Sequence, residues 1–147
     1  KALGGIKLIM SDYIERWLFI PCTSHCNTPI LLVRKPNVRE WRFVQDLRAI
    51  NNMAIPWHPI LHKPMLLTAI PSNVEFLTVI DLCSTFFNIS VDKNNQFLFT
   101  FTWEGRQYTW IVMPQGWTES PAYFSQILKA DLPDIDFLKI HFNKILI

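Results

Sequence analysis

The chain has 147 residues, of which 50% are hydrophobic and 18% are charged. This balance excludes a disordered tail and predicts one domain of ordinary size. The formal net charge is only +2, yet residues 1–48 carry eight Lys or Arg against four acids, so this part is +4 and the remainder is −2. The asymmetry fits a phosphate-bearing partner, and it fits scattered solvated charges equally well.

Targeting and metal signals are scarce in this sequence. Because it has no long apolar run and no signal-peptide pattern, we expect neither a transmembrane segment nor a signal peptide. The odd count of three cysteines favours reduced thiols and an intracellular setting, cytoplasmic or nuclear. The run Cys22–Cys26 lacks a second spaced pair of ligands, which favours thiols over a zinc site.

The first third of the chain predicts a helix and a hairpin. Apolar residues at helical spacing predict a helix over 6–16, ahead of Pro21. Two short apolar runs, 30–33 and 41–45, then predict the strands of a β-hairpin. Residues 36–39 form its turn, so the hairpin has a basic tip.

The middle of the chain is predicted as a long connection followed by an apolar strand. Four prolines within 47–73 favour a connection with one short helical piece over 65–70. The apolar run 76–82 predicts a strand that is too apolar to be exposed and that carries Asp81 near its end. A carboxylate there is costly to bury unless it binds a cation or accepts hydrogen bonds, and a cap on the helical turn Cys83–Phe87 explains it equally well.

An aromatic hairpin and a helix are predicted next. Residues 97–103 and 108–112 alternate aromatic with other side chains around a Glu104-Gly105 turn, which predicts two antiparallel strands. The Ser120-Pro121 pair predicts the N-cap and the first position of a helix that ends near Leu132. Together these elements predict an α+β fold.

Two segments are candidates for anion binding. The run Met113–Trp117 contains a Pro-x-Gly turn between a strand and a helix, which offers backbone N–H groups to a ligand. Arg34, Lys35 and Arg42 lie on the arms of the first hairpin, where they close on a polyphosphate or remain ordinary solvated charges. Neither pattern is specific by itself.

Six segments, in their order and spacing, resemble the fingers and palm of a retroviral reverse transcriptase, most of all the gammaretrovirus-like endogenous elements. They are Asn27–Leu31, Val33–Pro36, Trp41–Arg48, Val79–Leu82, Phe86–Phe87 and Met113–Gly116. The resemblance implies a single partial reverse transcriptase domain over 1–147, with an antiparallel palm sheet packed on helices and a fingers β-hairpin. It implies a fingers side over about 5–75, a palm over about 76–132 and a divergent tail over 133–147, without the thumb, connection and ribonuclease H regions.

The resemblance also implies a metal site and its loss. Asp81 matches the first catalytic aspartate, which in the family holds two Mg²⁺ ions with the backbone carbonyl of the next residue, here Leu82. The family's other two acids lie in a Tyr-x-Asp-Asp hairpin, which falls without gaps on His141-Phe142-Asn143-Lys144, so Asn143 and Lys144 replace both aspartates. Alternatively, the tail after about Phe137 is unrelated to the family, for instance out of frame. Both interpretations leave Mg²⁺ without a productive site.

Four further residues match the family's contacts to the incoming nucleotide. Phe86 matches the aromatic steric gate that rejects a ribose 2′-hydroxyl. Lys35 and Arg42 match residues that contact the triphosphate, and Gln115 matches the glutamine beside the sugar. These side-chain types suit the roles, because Lys and Arg neutralise phosphate charge and a ring excludes an extra oxygen.

The expected function is therefore that of a fragment of an endogenous-retrovirus RNA-directed DNA polymerase, a nucleotidyltransferase whose parent polyprotein also carries ribonuclease H. This copy is predicted to be inactive, and the family's partners are an RNA or DNA template-primer and a dNTP. Two alternatives stay open: a non-catalytic nucleic-acid-binding relic and a non-functional pseudogene product.

Two smaller departures from the family pattern are Trp17, which replaces a glycine that ends the first helix in relatives, and Ser84, where many relatives carry an aspartate.

Overall fold

The computed structural model describes residues 2–34, 41–55, 75–76, 78–132, 139–141 and 144–146. Backbone contacts divide the chain into a first unit, Lys1–Ala54 with Phe87–Thr118, and a second unit, Ile55–Phe86 with Glu119–Ile147. The helices are α1 (Ala2–Glu15), α2 (Arg48–Met53) and α3 (Ser120–Asp131). The strands are β1 (Phe19–Pro21), β2 (Ile30–Arg34), β3 (Trp41–Gln45), β4 (Val79–Asp81), β5 (Thr100–Trp103), β6 (Arg106–Trp110), β7 (Lys139–His141) and β8 (Lys144–Leu146). None of the helices in these ranges is both long and apolar enough to cross a membrane.

Helix α1 starts earlier than the predicted 6–16 and is followed by a left-handed residue. Trp17 has a φ of 55°, and the amides of Leu18 and Trp17 donate to the carbonyls of Tyr13 and Ile14. This pair of bonds is a Schellman motif, in which glycine is the usual left-handed residue. Trp17 therefore adopts a left-handed conformation that its Cβ makes unfavourable.

The first unit contains a three-stranded antiparallel sheet and a separate hairpin. The strand order in the sheet is β1–β6–β5, and β2 pairs with β3. The predicted first hairpin is confirmed, and its tip, 36–39, lies outside the described residues. The aromatic hairpin is confirmed with shifted ends, because residues 96–99 form a 3₁₀ helix and β6 ends at Trp110.

A local turn explains why the predicted strand over 97–103 begins late. The Asp92 carboxylate accepts the Asn94 amide at 2.8 Å, and the Asp92 carbonyl accepts the amides of Asn95 and Gln96. Asp favours such turns because its short side chain bonds the backbone two residues on. The chain is therefore wound into a turn and a 3₁₀ helix before the extended backbone starts at Thr100.

The core of the first unit is an aromatic cluster. The Phe19 ring lies 4.3 Å from the Trp110 ring and 4.9 Å from the Phe101 ring, both edge to face. Phe43 lies 5.5 Å from Phe19 and 5.3 Å from Phe101. All four side chains are buried, and such pairs contribute about 0.5–1.5 kcal/mol each beyond burial. This cluster joins β1, β3, β5 and β6.

Helices α2 and α3 also differ from the predictions. Helix α2 lies where an irregular connection was expected, and it begins after Asp46, whose carboxylate accepts the Arg48 amide. Helix α3 begins one residue early, because the Glu119 carbonyl accepts two amides of the first turn. Ser120 therefore lies inside the helix and is not its N-cap. The helical piece predicted over 65–70 lies outside the described residues.

The second unit contains helix α3 and a sheet with strand order β4–β8–β7. Strand β4 is shorter than the predicted 76–82, and all three of its residues are exposed, with Val79 at 64%. The expectation that this apolar strand is too apolar to be exposed is wrong. Within the described ranges β4 is an edge strand that pairs with β8 alone, and no described element covers its faces closely enough to bury its side chains.

Candidate nucleotide and metal sites

A cleft of about 530 Å³ in the first unit brings Arg42 and Gln115 together. Its walls come from α1, β3 and the loop that follows β6, and its lining residues are Leu8, Ile9, Asp12, Tyr13, Trp41, Arg42, Phe43 and Gln115. The resemblance implies a triphosphate contact for Arg42 and a sugar contact for Gln115, and these roles stay predictions. Lys35, the other predicted triphosphate contact, lies outside the described residues.

The alternation of β3 turns Arg42 outward. Phe43 and Gln45 are buried, whereas Arg42 is exposed and lies opposite Val33 in the register with β2. A guanidinium at a solvent-accessible position can present its planar fork of donors to a phosphate. Because successive side chains of a strand point to opposite faces, Arg42 lies at the surface while its neighbour Phe43 packs in the core.

A buried glutamine anchors β3 to the sheet. Gln45 Nε2 donates to Thr28 Oγ1 at 2.6 Å, and Gln45 Oε1 accepts the indole N–H of Trp110 at 2.6 Å. No buried side-chain nitrogen or oxygen in the described part of the chain lacks a partner. Alternation with Phe43 places Gln45 on the buried face, but its partners Thr28 and Trp110 are distant in the sequence, so the sequence does not predict this network.

Gln115 lies in a loop whose preceding residues are buried. Met113 and Pro114 are buried, and the Met113 amide donates to the Ile89 carbonyl at 2.8 Å. Gly116, which follows, has a φ of 97°, a conformation that residues with a side chain rarely adopt. Gln115 itself is exposed. The predicted Pro-x-Gly turn is thus a fixed element that presents one polar side chain.

Asp46 and Arg48 form an ion pair at the start of α2. Arg48 Nη2 lies 2.6 Å from Asp46 Oδ2, and Arg48 Nε lies 2.9 Å from Asp46 Oδ1. The hydrogen bonds and charge of the guanidinium lower the pKa of Asp46 to about 2, and the same contacts raise the pKa of Arg48. The Arg48 side chain is 87% exposed, so solvent screens the pair and it contributes little to stability.

In the second unit, the exposed Asp81 ends β4 opposite Lys144 of β8. Leu82 follows directly, and Phe86 lies in the 3₁₀ helix Thr85–Asn88 with its ring 6.0 Å from that of Phe124. The backbone register therefore places Lys144 directly across the sheet from Asp81. Asn143 lies outside the described residues.

No group of three or more His, Cys, Asp or Glu in the described ranges is arranged to hold a metal ion. Mg²⁺ requires several hard oxygen ligands in near-octahedral geometry. In the β4–β8–β7 sheet the predicted ligands are the Asp81 carboxylate and the Leu82 carbonyl, and the residue opposite Asp81 in the register is Lys144. These residues do not fit a pair of divalent ions.

Comparison with known proteins gives consistent matches over most of the chain. The family model described as reverse transcriptase (RNA-dependent DNA polymerase) matches residues 33–136. The Gag-Pol polyprotein of Walleye dermal sarcoma virus is 41% identical over 134 residues, which are 90% of this chain and 8% of that protein. The Gag-Pol polyprotein of Feline leukemia virus is 36% identical over 141 residues, which are 91% of this chain and 8% of that protein.

Solved structures extend the likeness to the fold. The foamy viral protease-reverse transcriptase in complex with dsDNA matches with a TM-score of 0.88 and 30% identity, over 99% of this chain and 30% of that one. The same protein in complex with an RNA/DNA hybrid matches with a TM-score of 0.83 and 30% identity, over 96% of this chain and 19% of that one. The chain therefore belongs to the retroviral reverse transcriptases and is a fingers-and-palm fragment of their α+β fold.

Proposed function

We propose that this chain comes from an endogenous retroviral RNA-directed DNA polymerase and that this copy no longer polymerises. The observation that carries the proposal is the register of the β4–β8–β7 sheet, in which Asp81 lies opposite Lys144. By resemblance, the family's other two catalytic aspartates fall at Asn143 and Lys144. An asparagine and a lysine supply neither carboxylate, so Asp81 remains alone of the three acids.

A lysine at the position of an aspartate removes a metal ligand and also adds a positive charge that opposes metal binding. An ammonium group about 4 Å from a divalent ion repels it by several kcal/mol at an intermediate dielectric. A lysine opposite Asp81 therefore competes with a metal ion for the carboxylate. The family's Mg²⁺ ions would supply the clamp on the attacking and leaving oxygens, and this chain keeps only the Asp81 carboxylate and the Leu82 carbonyl for it.

The sheet also supports treating the tail as a palm hairpin. Strands β7 and β8 pair with each other around residues 142–143, and β8 pairs with β4. In the gapless alignment the Tyr-x-Asp-Asp motif falls on this link. An unrelated, out-of-frame tail has no physical reason to extend the sheet that carries Asp81.

A primer-extension assay tests the proposed inactivity. The chain is given an RNA or DNA template, a primer and dNTPs with Mg²⁺ or Mn²⁺, and we expect no incorporation. Incorporation by the wild type that disappears in Asp81→Ala would overturn the proposal.

Metal binding gives a second readout that needs no turnover. In the double variant Asn143→Asp/Lys144→Asp we expect Mg²⁺ at about ten times its Kd to raise the melting temperature by about 3–6 °C. The wild type should show no such rise, and adding Asp81→Ala to the double variant should abolish it. An equal rise in the wild type would mean that the site still binds the ion.

Retained nucleic-acid binding without chemistry is a second candidate function. The first unit, which contains the Arg42–Gln115 cleft, has ten Lys or Arg against six Asp or Glu. The similar foamy viral structures were solved with dsDNA and with an RNA/DNA hybrid. The net positive charge of this unit supports the same class of partner, and the Arg42 guanidinium supports a nucleoside triphosphate as the ligand of the cleft.

Salt dependence tests this binding. We expect an RNA/DNA hybrid to bind at low salt and to lose affinity steeply as salt rises, because phosphate contacts release counterions. Replacing Arg34, Lys35 and Arg42 with Gln should flatten the slope. The matched control replaces three cations elsewhere in the same unit, Lys7, Lys93 and Arg106. Undetectable binding, or equal effects of the two triple variants, would contradict this function.

The pseudogene alternative predicts a chain that does not form a stable fold. Exposed apolar side chains such as Phe76, at 85%, and Val79 supply surface for aggregation. A cooperative thermal transition in a monodisperse solution would exclude this alternative.

A further inference from the structure

Asn51 of α2 bridges the loop that follows Gln115. Its Nδ2 donates to the Gly116 carbonyl at 3.0 Å, and its Oδ1 accepts the Thr118 amide at 3.1 Å. A carboxamide used in this way supplies one donor and one acceptor, as the backbone of a neighbouring strand does. The side chain therefore ties both flanks of Trp117 to α2.

Gln115 lies between two anchored points. On one side Pro114 is fully buried, and on the other Gly116 is held by Asn51. Gly116 also lies close to the end of β3, because a Cβ built there would be 3.9 Å from the Gln45 carbonyl oxygen. The direction of Gln115 therefore depends on the peptide that Asn51 binds.

We propose that Asn51 is a positioning residue that directs Gln115 into the cleft it shares with Arg42. The proposal rests on the proposed nucleoside triphosphate binding in that cleft. Helix α2 follows β3 after only Asp46 and Leu47, so Asn51 links Gln115 to the same segment that carries Arg42. One short segment thus sets the distance between the triphosphate contact and the sugar contact.

The chemistry of the bridge predicts how variants rank. Asn51→Ala removes both bonds. Asn51→Asp keeps an acceptor for the Thr118 amide but sets an oxygen against the Gly116 carbonyl oxygen, so it should disturb the loop as well. Asn52→Ala changes the neighbouring exposed asparagine and is the matched control.

Amide exchange measured by ¹H–¹⁵N NMR tests the bridge itself. In Asn51→Ala we expect the Thr118 amide to exchange about tenfold faster than in the wild type, because its acceptor is gone. Asn52→Ala should leave that rate unchanged. An unchanged rate in Asn51→Ala overturns the proposal without bearing on nucleotide binding.

Titration with dTTP in the same samples tests positioning. We expect Asn51→Ala and Gln115→Ala each to weaken binding about fivefold, and the double variant to be no weaker than either, because Asn51 acts through Gln115. Losses that multiply in the double variant, or full affinity in Asn51→Ala, overturn the positioning role while nucleotide binding stands. A wild type with no dTTP-dependent shifts overturns nucleotide binding itself, and the positioning role with it.

Discussion

The strands that carry candidate residues in the two units differ in burial. Strand β3 buries Phe43 and Gln45 beside the exposed Arg42, whereas all three residues of β4 are exposed. The charges of the two units differ as well, since the second unit has four Lys against six Asp or Glu. The unit with Arg42 and Gln115 contains the aromatic cluster, whereas the unit with Asp81 exposes an apolar strand and contains the two positions, Asn143 and Lys144, where the resemblance implies aspartates.

Matched phenylalanine truncations give the sharpest test of this contrast. Phe101 is fully buried in the first unit, and Phe76 is 85% exposed in the second. We expect Phe101→Ala to lower the free energy of unfolding by about 3–5 kcal/mol. Phe76→Ala should change it by less than about 0.5 kcal/mol, because no packing is lost. Urea denaturation of both variants measures the difference, and comparable losses would show that the Phe76 side chain packs in solution.

Substitution of one buried and one exposed glutamine tests how much buried hydrogen bonds stabilise the first unit. Gln45→Leu keeps most of the side-chain volume but leaves the Trp110 indole N–H without its acceptor and the Thr28 hydroxyl, which still donates to the Thr100 carbonyl, without its donor. We expect a loss of about 2–3 kcal/mol in the free energy of unfolding. Gln126, exposed in α3 of the second unit, is the control, and Gln126→Leu should be nearly neutral. A neutral Gln45→Leu would mean that the network adds no net stability.

The same contrast separates what the sequence predicts from what it does not. Strands β2 and β3 follow from short apolar runs, and the left-handed Trp17 follows from the glycine expected at that position by resemblance. The exposure of Asp81 does not follow, since an apolar run cannot tell which neighbour covers a strand. Burial is a property of the partner surface as much as of the strand.

The candidate site also has features that the sequence predicts and features that only the fold reveals. Resemblance pairs Arg42 with Gln115, but residues this distant in sequence meet only through the fold. Helix α2 is six residues long, too short to be stable by propensity, and Asn51 ties it to a loop from the other half of the unit. Long-range contacts of this kind leave no periodic trace in the sequence.

Two adjacent glycines of α1 test how closely the first unit is packed. A Cβ at Gly5 would collide with the Trp41 ring, whereas a Cβ at Gly4 meets nothing within 4 Å. Both changes to alanine gain helix propensity, about 1 kcal/mol. We therefore expect Gly4→Ala to stabilise the chain and Gly5→Ala to lower the free energy of unfolding by about 1–2 kcal/mol as Trp41 is displaced. Thermal unfolding compares the two variants. Equal stabilisation would show that the Trp41 ring moves aside without loss of stability.

The smallest expected effect lies at the end of α1, where the first unit is not optimised. Trp17 has a φ of 55° and is 72% exposed, so its backbone is strained while its ring contributes little packing. We expect Trp17→Gly to raise the free energy of unfolding by about 0.5–1 kcal/mol, because glycine adopts the left-handed conformation without a Cβ clash. Trp17→Ala is the control, since it removes the ring and keeps the Cβ, and it should change little. If alanine stabilises the chain as much as glycine does, exposure of the indole rather than backbone conformation is what limits stability at this turn.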